Sequence, residues 1–456
     1  MRLKALALCL MTGFAATAAA QDSTQTLQQA LTQIPQAVLS SPQPMQIFFM
    51  DVQAWRGLEK SGPTADGMRR LAIAQPIRPL ESIGHGLDAW SDNAKVPFDE
   101  VSYFAGFGQA PSNISYWGLK NKQAVAKLVA NLKQVDFVPI EGDAPGLIAN
   151  GEAGRMDMQK ANAKNPWRGM MGQASFVLPL ETALIQASSA TGMKTLAQTT
   201  PSVADSEVVA ASLAGLKEGV PADRGQIVQA VVISPILGLA AVDPAKVLLS
   251  TNGDMDIAKQ NLKAAVEANG RGIPPYFSGI LADAQINNLP AVVISLAYAD
   301  CVTAKQAVDG ISTAWKESMA GAKDAKVAGT TVQAGKLCAA VVRVTAPTAE
   351  NAGNPVLAEV MNRYMRREFT VLQIGTARRS DPAWGSAPCV AIRRSRRSPI
   401  PPPQSRSSPA THCSRSPAAH APPEYRQANT PRPHAAAVDR APPTRSAHPA
   451  CRDSAA

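Results

Sequence analysis

The sequence predicts an α+β fold: two tandem strand–helix–strand–strand–helix–strand units, each a mainly antiparallel sheet carrying its helices on one face, followed by a disordered C-terminal tail. Three observations carry that expectation. Short β-like runs alternate with single amphipathic helices through most of the 456 residues. Lys122-Gln-Ala-Val125 returns as Lys305-Gln-Ala-Val308, and in the same register Leu128 matches Ile311, Leu132 matches Trp315 and Lys133 matches Lys316, which favours an internal duplication. Composition then changes abruptly at residue 376.

The chain begins with Arg2 and Lys4, an apolar run from Ala5 to Ala19, and Ala18-Ala19-Ala20 before Gln21. A positive start, an apolar stretch too short to span a bilayer and a small-residue exit describe a secretory signal peptide over 1–20. Cys9 lies inside the run and precedes Leu10, so it is no lipid-attachment cysteine. The longest later apolar run, Val228 to Val242, is interrupted by Gln229, Ser234, Pro235 and Gly238, and no transmembrane segment is expected in the mature chain. The expected location is periplasmic or secreted.

Leu27, Leu31, Ile34 and Val38 mark one helix, and Ile47 to Val52 reads as a strand. A helix after Gly62-Pro63 carries Met68, Leu71 and Ile73, and residues 76–100 read as irregular or short-helical. Strands at 101–105 and 114–118 precede a helix from Lys122 to about Gln134. Further strands are expected at 136–140, 146–149 and 174–187. The first unit then spans 21–216 and the second 227–375, with a linker in the Gly- and Pro-containing stretch 217–226. In the second unit Ala291 to Tyr298 is a strand, Thr303 to Ser318 a helix, 327–334 and 337–344 a hairpin, 354–367 a helix and 369–374 a closing strand.

The formal net charge is +10, but residues 376–456 alone carry 13 Arg against 4 acidic groups. Residues 21–375 balance at 30 basic against 31 acidic, so the folded part offers no field for nucleic acid. The tail has no Leu, 15 of the 36 Pro and four of the five His. Such a stretch cannot offset its ordering entropy. It reads either as a genuine disordered tail or as the product of a GC-rich gene in a shifted frame.

Signals for catalysis are sparse. His85, between Gly84 and Gly86, is the one histidine of the body and reads as a turn residue. There is no Gly-x-Ser-x-Gly elbow, phosphate-binding glycine loop, multi-histidine set or EF-hand; Asp256 reads as a helix start rather than a calcium ligand. No catalytic residue, metal or cofactor is therefore assigned. Cys301 and Cys338 are the two body cysteines and are expected to form a disulfide, since their strands can be neighbours. Tyr103, Phe104, Phe107, Tyr116 and Trp117 form the densest aromatic region of a chain with 5% aromatics. Strand alternation leaves one member of each adjacent pair free for a surface, so Tyr103, Phe107, Tyr116 and Trp117 are the candidate ligand-binding residues. The expectation is an exported, soluble, non-enzymatic protein that binds a small molecule or an envelope partner. The alternative is a hydrolase using carboxylate acid/base chemistry, which leaves no mark in a single sequence.

Overall fold

A computed structural model describes residues 23–40, 46–59, 62–141, 144–239, 255–368 and 370–377. The expected signal peptide, and the expected tail beyond Ala377, lie outside these residues. Every described residue falls within one unit, Met1–Gly385.

Eleven α-helices and fourteen strands are described. The helices are α1 Ser23–Thr32, α2 Val52–Arg56, α3 Ala65–Arg70, α4 Arg78–Gly84, α5 Trp90–Ala94, α6 Lys122–Lys133, α7 Met193–Leu196, α8 Glu207–Gly219, α9 Met255–Ala268, α10 Cys301–Ser318 and α11 Pro355–Met365. The strands are β1 Ile47–Asp51, β2 Val101–Phe107, β3 Ile114–Leu119, β4 Val138–Pro139, β5 Ile148–Ala149, β6 Phe176–Pro179, β7 Ala183–Ala187, β8 Gly225–Ile233, β9 Arg271–Gly272, β10 Ser278–Ile286, β11 Leu289–Tyr298, β12 Lys326–Ala334, β13 Leu337–Thr345 and β14 Thr376–Ala377.

The two expected sheets are one. Twelve strands run in the order β12-β13-β11-β10-β8-β1-β2-β3-β7-β6-β5-β4, each neighbour antiparallel. The join is β1 on β8, where Ile47 to Met50 face Val232 to Gln229. Both strands are apolar and buried, so as outer strands of separate sheets they would present open hydrophobic edges. Pairing them removes both edges at once. Outward from this join the order matches on the two sides: β8, β10, β11, β13, β12 against β1, β2, β3, β7, β6. On each side a hairpin, β10–β11 or β2–β3, leads into a long helix, α10 or α6.

Helices cover both faces of the sheet, not one. Alternation along each strand divides the side chains. On one face α1 and α8 pack over Phe49, Tyr103, Ile185, Ile227, Ala282, Val293 and Val341. On the other, α6 lies on Trp117, Val177 and Leu184, and α10 and α11 lie on Val292, Ile294, Ala340 and Val342. Both faces of β8 and β10 are covered, so neither strand shows an alternation of buried and exposed residues. The expected linker at 217–226 is instead the end of α8, a turn and the start of β8. Residues 370–372 form a turn where a closing strand was expected, and only Ile374 bridges, to Ile273. Thr376 and Ala377, assigned above to the tail, pair with β9 as β14.

At the sheet centre a bulge sets Gln229 of β8 opposite Asp283 of β10. Arg70, the last residue of α3, meets Asp283 there with Nε–Oδ2 at 2.8 Å and Nη2–Oδ1 at 2.7 Å, both side chains essentially inaccessible. The remaining guanidinium donors reach Gln285 Oε1, the Ala352 carbonyl and the Ala284 carbonyl at 3.0–3.1 Å. Asp283 also accepts from Gln229 Nε2 at 3.1 Å and Asn354 Nδ2 at 2.8 Å. All five N–H groups of the guanidinium are engaged, the condition under which a buried ion pair is tolerated.

Asp51 ends β1 and caps α2, accepting from the Ala54 N–H at 2.8 Å. Burial pushes its carboxyl from the ordinary 3.8 up to about 6, against the lowering effect of its bonds to Ala54, Thr26 and Gln53.

Asp283→Asn should destabilise the fold by about 3–5 kcal/mol in urea, because it strands a buried guanidinium; Arg70→Met combined with Asp283→Leu should recover much of that loss. A cost below about 1 kcal/mol for the single change would place the pair among ordinary polar contacts. For Asp51 the folded value lies above the unfolded one, so the native state binds the extra proton. Stability is then greatest below about pH 4 on this account and falls as pH rises through about 6, by about 3 kcal/mol in all. Asp51→Asn, which keeps the cap acceptor, should exceed the wild type in urea stability at about pH 7.5 and match it near pH 4. A difference that does not change with pH would contradict this origin.

Candidate functional site

Helix α11 builds the site. Asn354 caps it, its Oδ1 accepting from Val356 and Leu357 N–H at 3.1 Å, and Pro355 occupies the first turn, where no N–H is needed. Asn354 Nδ2 meanwhile donates to Asp283 and to the Ala291 carbonyl. The N-terminus of α11 is therefore tied to the Arg70–Asp283 pair. Val356, Leu357 and Val360 go down onto the sheet.

Beneath the far end of α11 lies a cleft of about 130 Å³. Its floor is Phe48 of β1, Val231 and Ile233 of β8 and Leu281 of β10; its walls are Ile73, Met319, Val360, Met361, Tyr364, Val371 and Leu372. The charged groups at its edge are bound to one another. Arg363 donates to Glu359 at 3.0 Å, to Glu368 at 2.7 Å and to the Ser318 carbonyl at 2.5 Å. The cleft is thus apolar inside and closed electrostatically at the rim.

On the other side of α11 a wider groove of about 680 Å³ runs past Asp66, Arg69, Lys323, Asp324, Glu350 and Asn362. Ala72 and Met361 border both spaces.

The candidate aromatic residues lie elsewhere, and none has a free side. Tyr103, Phe107 and Tyr116 are buried under α1 and its neighbours; the Tyr103 ring lies over Gly118, where a Cβ would meet it at 2.0 Å. Trp117 is buried on the opposite face, stacked on Trp167 at 4.4 Å and Trp90 at 5.7 Å, with its Nε1 donating to Gln186 Oε1 at 2.9 Å. Alternation is as expected, but each face is covered, so both members of each adjacent pair are core. Desolvation raises the Tyr103 and Tyr116 hydroxyls well above the usual tyrosine range.

Cys301 and Cys338 are joined, with Cα atoms 5.1 Å apart, fixing the start of α10 to β13 beside Tyr298. His85 is exposed as the C-cap of α4 and borders neither space. Asp256 sits in the first turn of α9, and Asp254 lies outside the described residues. Asp51 is packed beside Thr26 on the α1 side, across the sheet from the cleft. Among the described residues no group of three or more His, Cys, Asp or Glu could hold a metal. No described helix is long and apolar enough to cross a membrane.

Sequence reading missed the cleft residues. The only signal for them is the apolar stripe Val356, Leu357, Val360, Met361 and Tyr364 on α11, wider than a helix needs to seal itself onto a sheet.

No protein-family model and no curated protein matches the chain. A solved structure described as "Structure of crystal form I of TP0453" is similar over 72% of this chain and 97% of that one, at 10% identity and a TM-score of 0.29. A likeness of that size says nothing of function, and the cleft stands on its own geometry.

Proposed function

We propose that the chain is an exported, non-enzymatic binding protein that takes a small apolar molecule, or the apolar end of a larger one, in the cleft beneath α11. The observation that carries this reading is the chemistry of the lining. Aliphatic and aromatic side chains form floor and walls, and the nearby arginine is already held by two carboxylates and a carbonyl. An anionic ligand would have to compete with Glu359 and Glu368 for Arg363, whereas an apolar one would gain about 25 cal/mol for each Å² it removes from water. The shared border at Ala72 and Met361 would let a polar end lie in the groove. Export is supported by the n-region, apolar run and Ala-rich exit of residues 1–20, and by a disulfide, which persists in an oxidising compartment. The fold itself we read as a duplication, supported by the matching strand order about β1 and β8 and by the repeated Lys-Gln-Ala-Val.

An environment-sensitive apolar dye, N-phenyl-1-naphthylamine, tests the cleft. It should bind saturably at one site, and Ala72→Trp, which fills the mouth from a half-exposed position, should weaken it at least about tenfold. The melting temperature of that variant should stay close to the wild-type value. Equal binding by both proteins would remove the cleft as the site. Export has its own readout: intact mass of chain recovered from the periplasm should begin at Gln21, and a full-length mass there would overturn it.

A further inference from the structure

Four of the 14 methionines sit within one hairpin, residues 151–173: Met156, Met158, Met170 and Met171. They are 50%, 63%, 53% and 51% exposed. Every other large apolar side chain of that stretch is buried, since Trp167 is the only one and lies stacked on Trp117. A patch selected for apolar contact would draw on Leu, Ile or Phe as well. What distinguishes this surface is sulfur.

The backbone brings the two Met-bearing segments together. Met156 bridges Gln173, and the Asp157 N–H donates to the Gly172 carbonyl at 3.1 Å, so Met156 and Met158 run beside Met170 and Met171. Gly172 makes the approach possible. Its φ is +62°, and a Cβ there would lie 1.9 Å from the Asp157 carbonyl oxygen, so any other residue would push the segments apart. The hairpin is also anchored. Trp167 Nε1 donates to the Ala94 carbonyl at 3.1 Å, and Asn162 reaches Asn93 at 3.2 Å. Its cations are paired outside the patch: Arg155 with Glu152, Lys160 with Asp136, Lys164 with Asp88.

We propose that this hairpin binds a soft monovalent cation, Cu(I), through methionine thioethers. Thioether sulfur favours Cu(I) over Zn(II), Mg(II) or Ca(II), which need imidazole, thiolate or oxygen donors. The stretch has no His and no Cys to supply the first two. Thioethers are neutral and carry no proton at any working pH, so the site is always ready to ligate. Binding requires no redox step; the metal arrives and leaves as Cu(I).

The test uses the full chain with its disulfide intact and any thiols outside the Cys301–Cys338 bridge blocked by alkylation. Cu(I) is supplied anaerobically as its bicinchoninate complex. The wild type should withdraw one Cu(I) per chain, and X-ray absorption should show sulfur in the first coordination shell. The variant with Met156, Met158, Met170 and Met171 all changed to Leu keeps the apolar surface and should withdraw none there, with an unchanged melting temperature. Gly172→Ala should weaken binding about 10–100-fold through displacement of the ligands. Failure of the wild type to compete, or equal withdrawal by the quadruple-Leu variant, would overturn the proposal.

Discussion

The buried pair Arg70–Asp283 is the constraint on which the central part of the molecule rests. Two charges removed from water at the middle of a twelve-stranded sheet are unfavourable unless every donor and acceptor is matched. Here the matching partners are five residues from four places: Gln229 on β8, Ala284 and Gln285 on β10, the Ala352 carbonyl, and Asn354 at the start of α11. Gln229 also holds the chain after α3, its Oε1 accepting from Ile73 and Ala74 N–H at 3.0 Å. The same network therefore sets residues 70–74 and α11 against the sheet. Both segments line the cleft. Satisfying the charge pair and placing residues that line the cleft draw on the same network.

A second buried network does similar work on the other flank. Gln186 of β7 donates to the Pro166 carbonyl at 2.8 Å and to Ser175 Oγ at 3.0 Å, and accepts from Trp117. Ser175 in turn reaches the Trp167 carbonyl at 2.6 Å. This pins the methionine hairpin to the sheet by the tryptophan at its tip, while Met156, Met158, Met170 and Met171 along its arms stay exposed. In both places a buried polar side chain on a sheet strand, held by several bonds, fixes a loop that strand pairing alone would leave unplaced.

Local pattern revealed the elements but not their layering. The Lys122 and Lys305 helices, the β12–β13 hairpin and the Cys301–Cys338 contact follow from periodicity and neighbouring order, and each is present. The strands β8 and β10 escaped because polar residues interrupt their apolar runs, Gln226 and Gln229 in the first and Asp283 and Gln285 in the second. At 217–226, expected as a linker, Gly219, Pro221 and Gly225 punctuate a tight α8–β8 turn as readily as a boundary. The aromatic cluster was legible as a cluster; that Trp117 has Trp90 and Trp167 above it depends on residues 27 and 50 positions away. The cleft is less legible still, because its floor joins β1, β8 and β10 only after the two halves have paired.

That last point explains why a space exists where it does. On the face that carries the cleft, the long helices α6 and α10 follow the second strand of their hairpins and settle on outer strands, β3, β6 and β7 on one side and β11, β12 and β13 on the other. The join of β1 with β8, and β10 beside it, lies between them. Among the described residues, the cover of that strip at the cleft is the segment around Ile73, α11 and residues 371–372. Three separate pieces meeting over a continuous apolar floor pack less completely than one helix with a single stripe. An opening over β1, β8 and β10 is therefore what such a three-piece cover leaves.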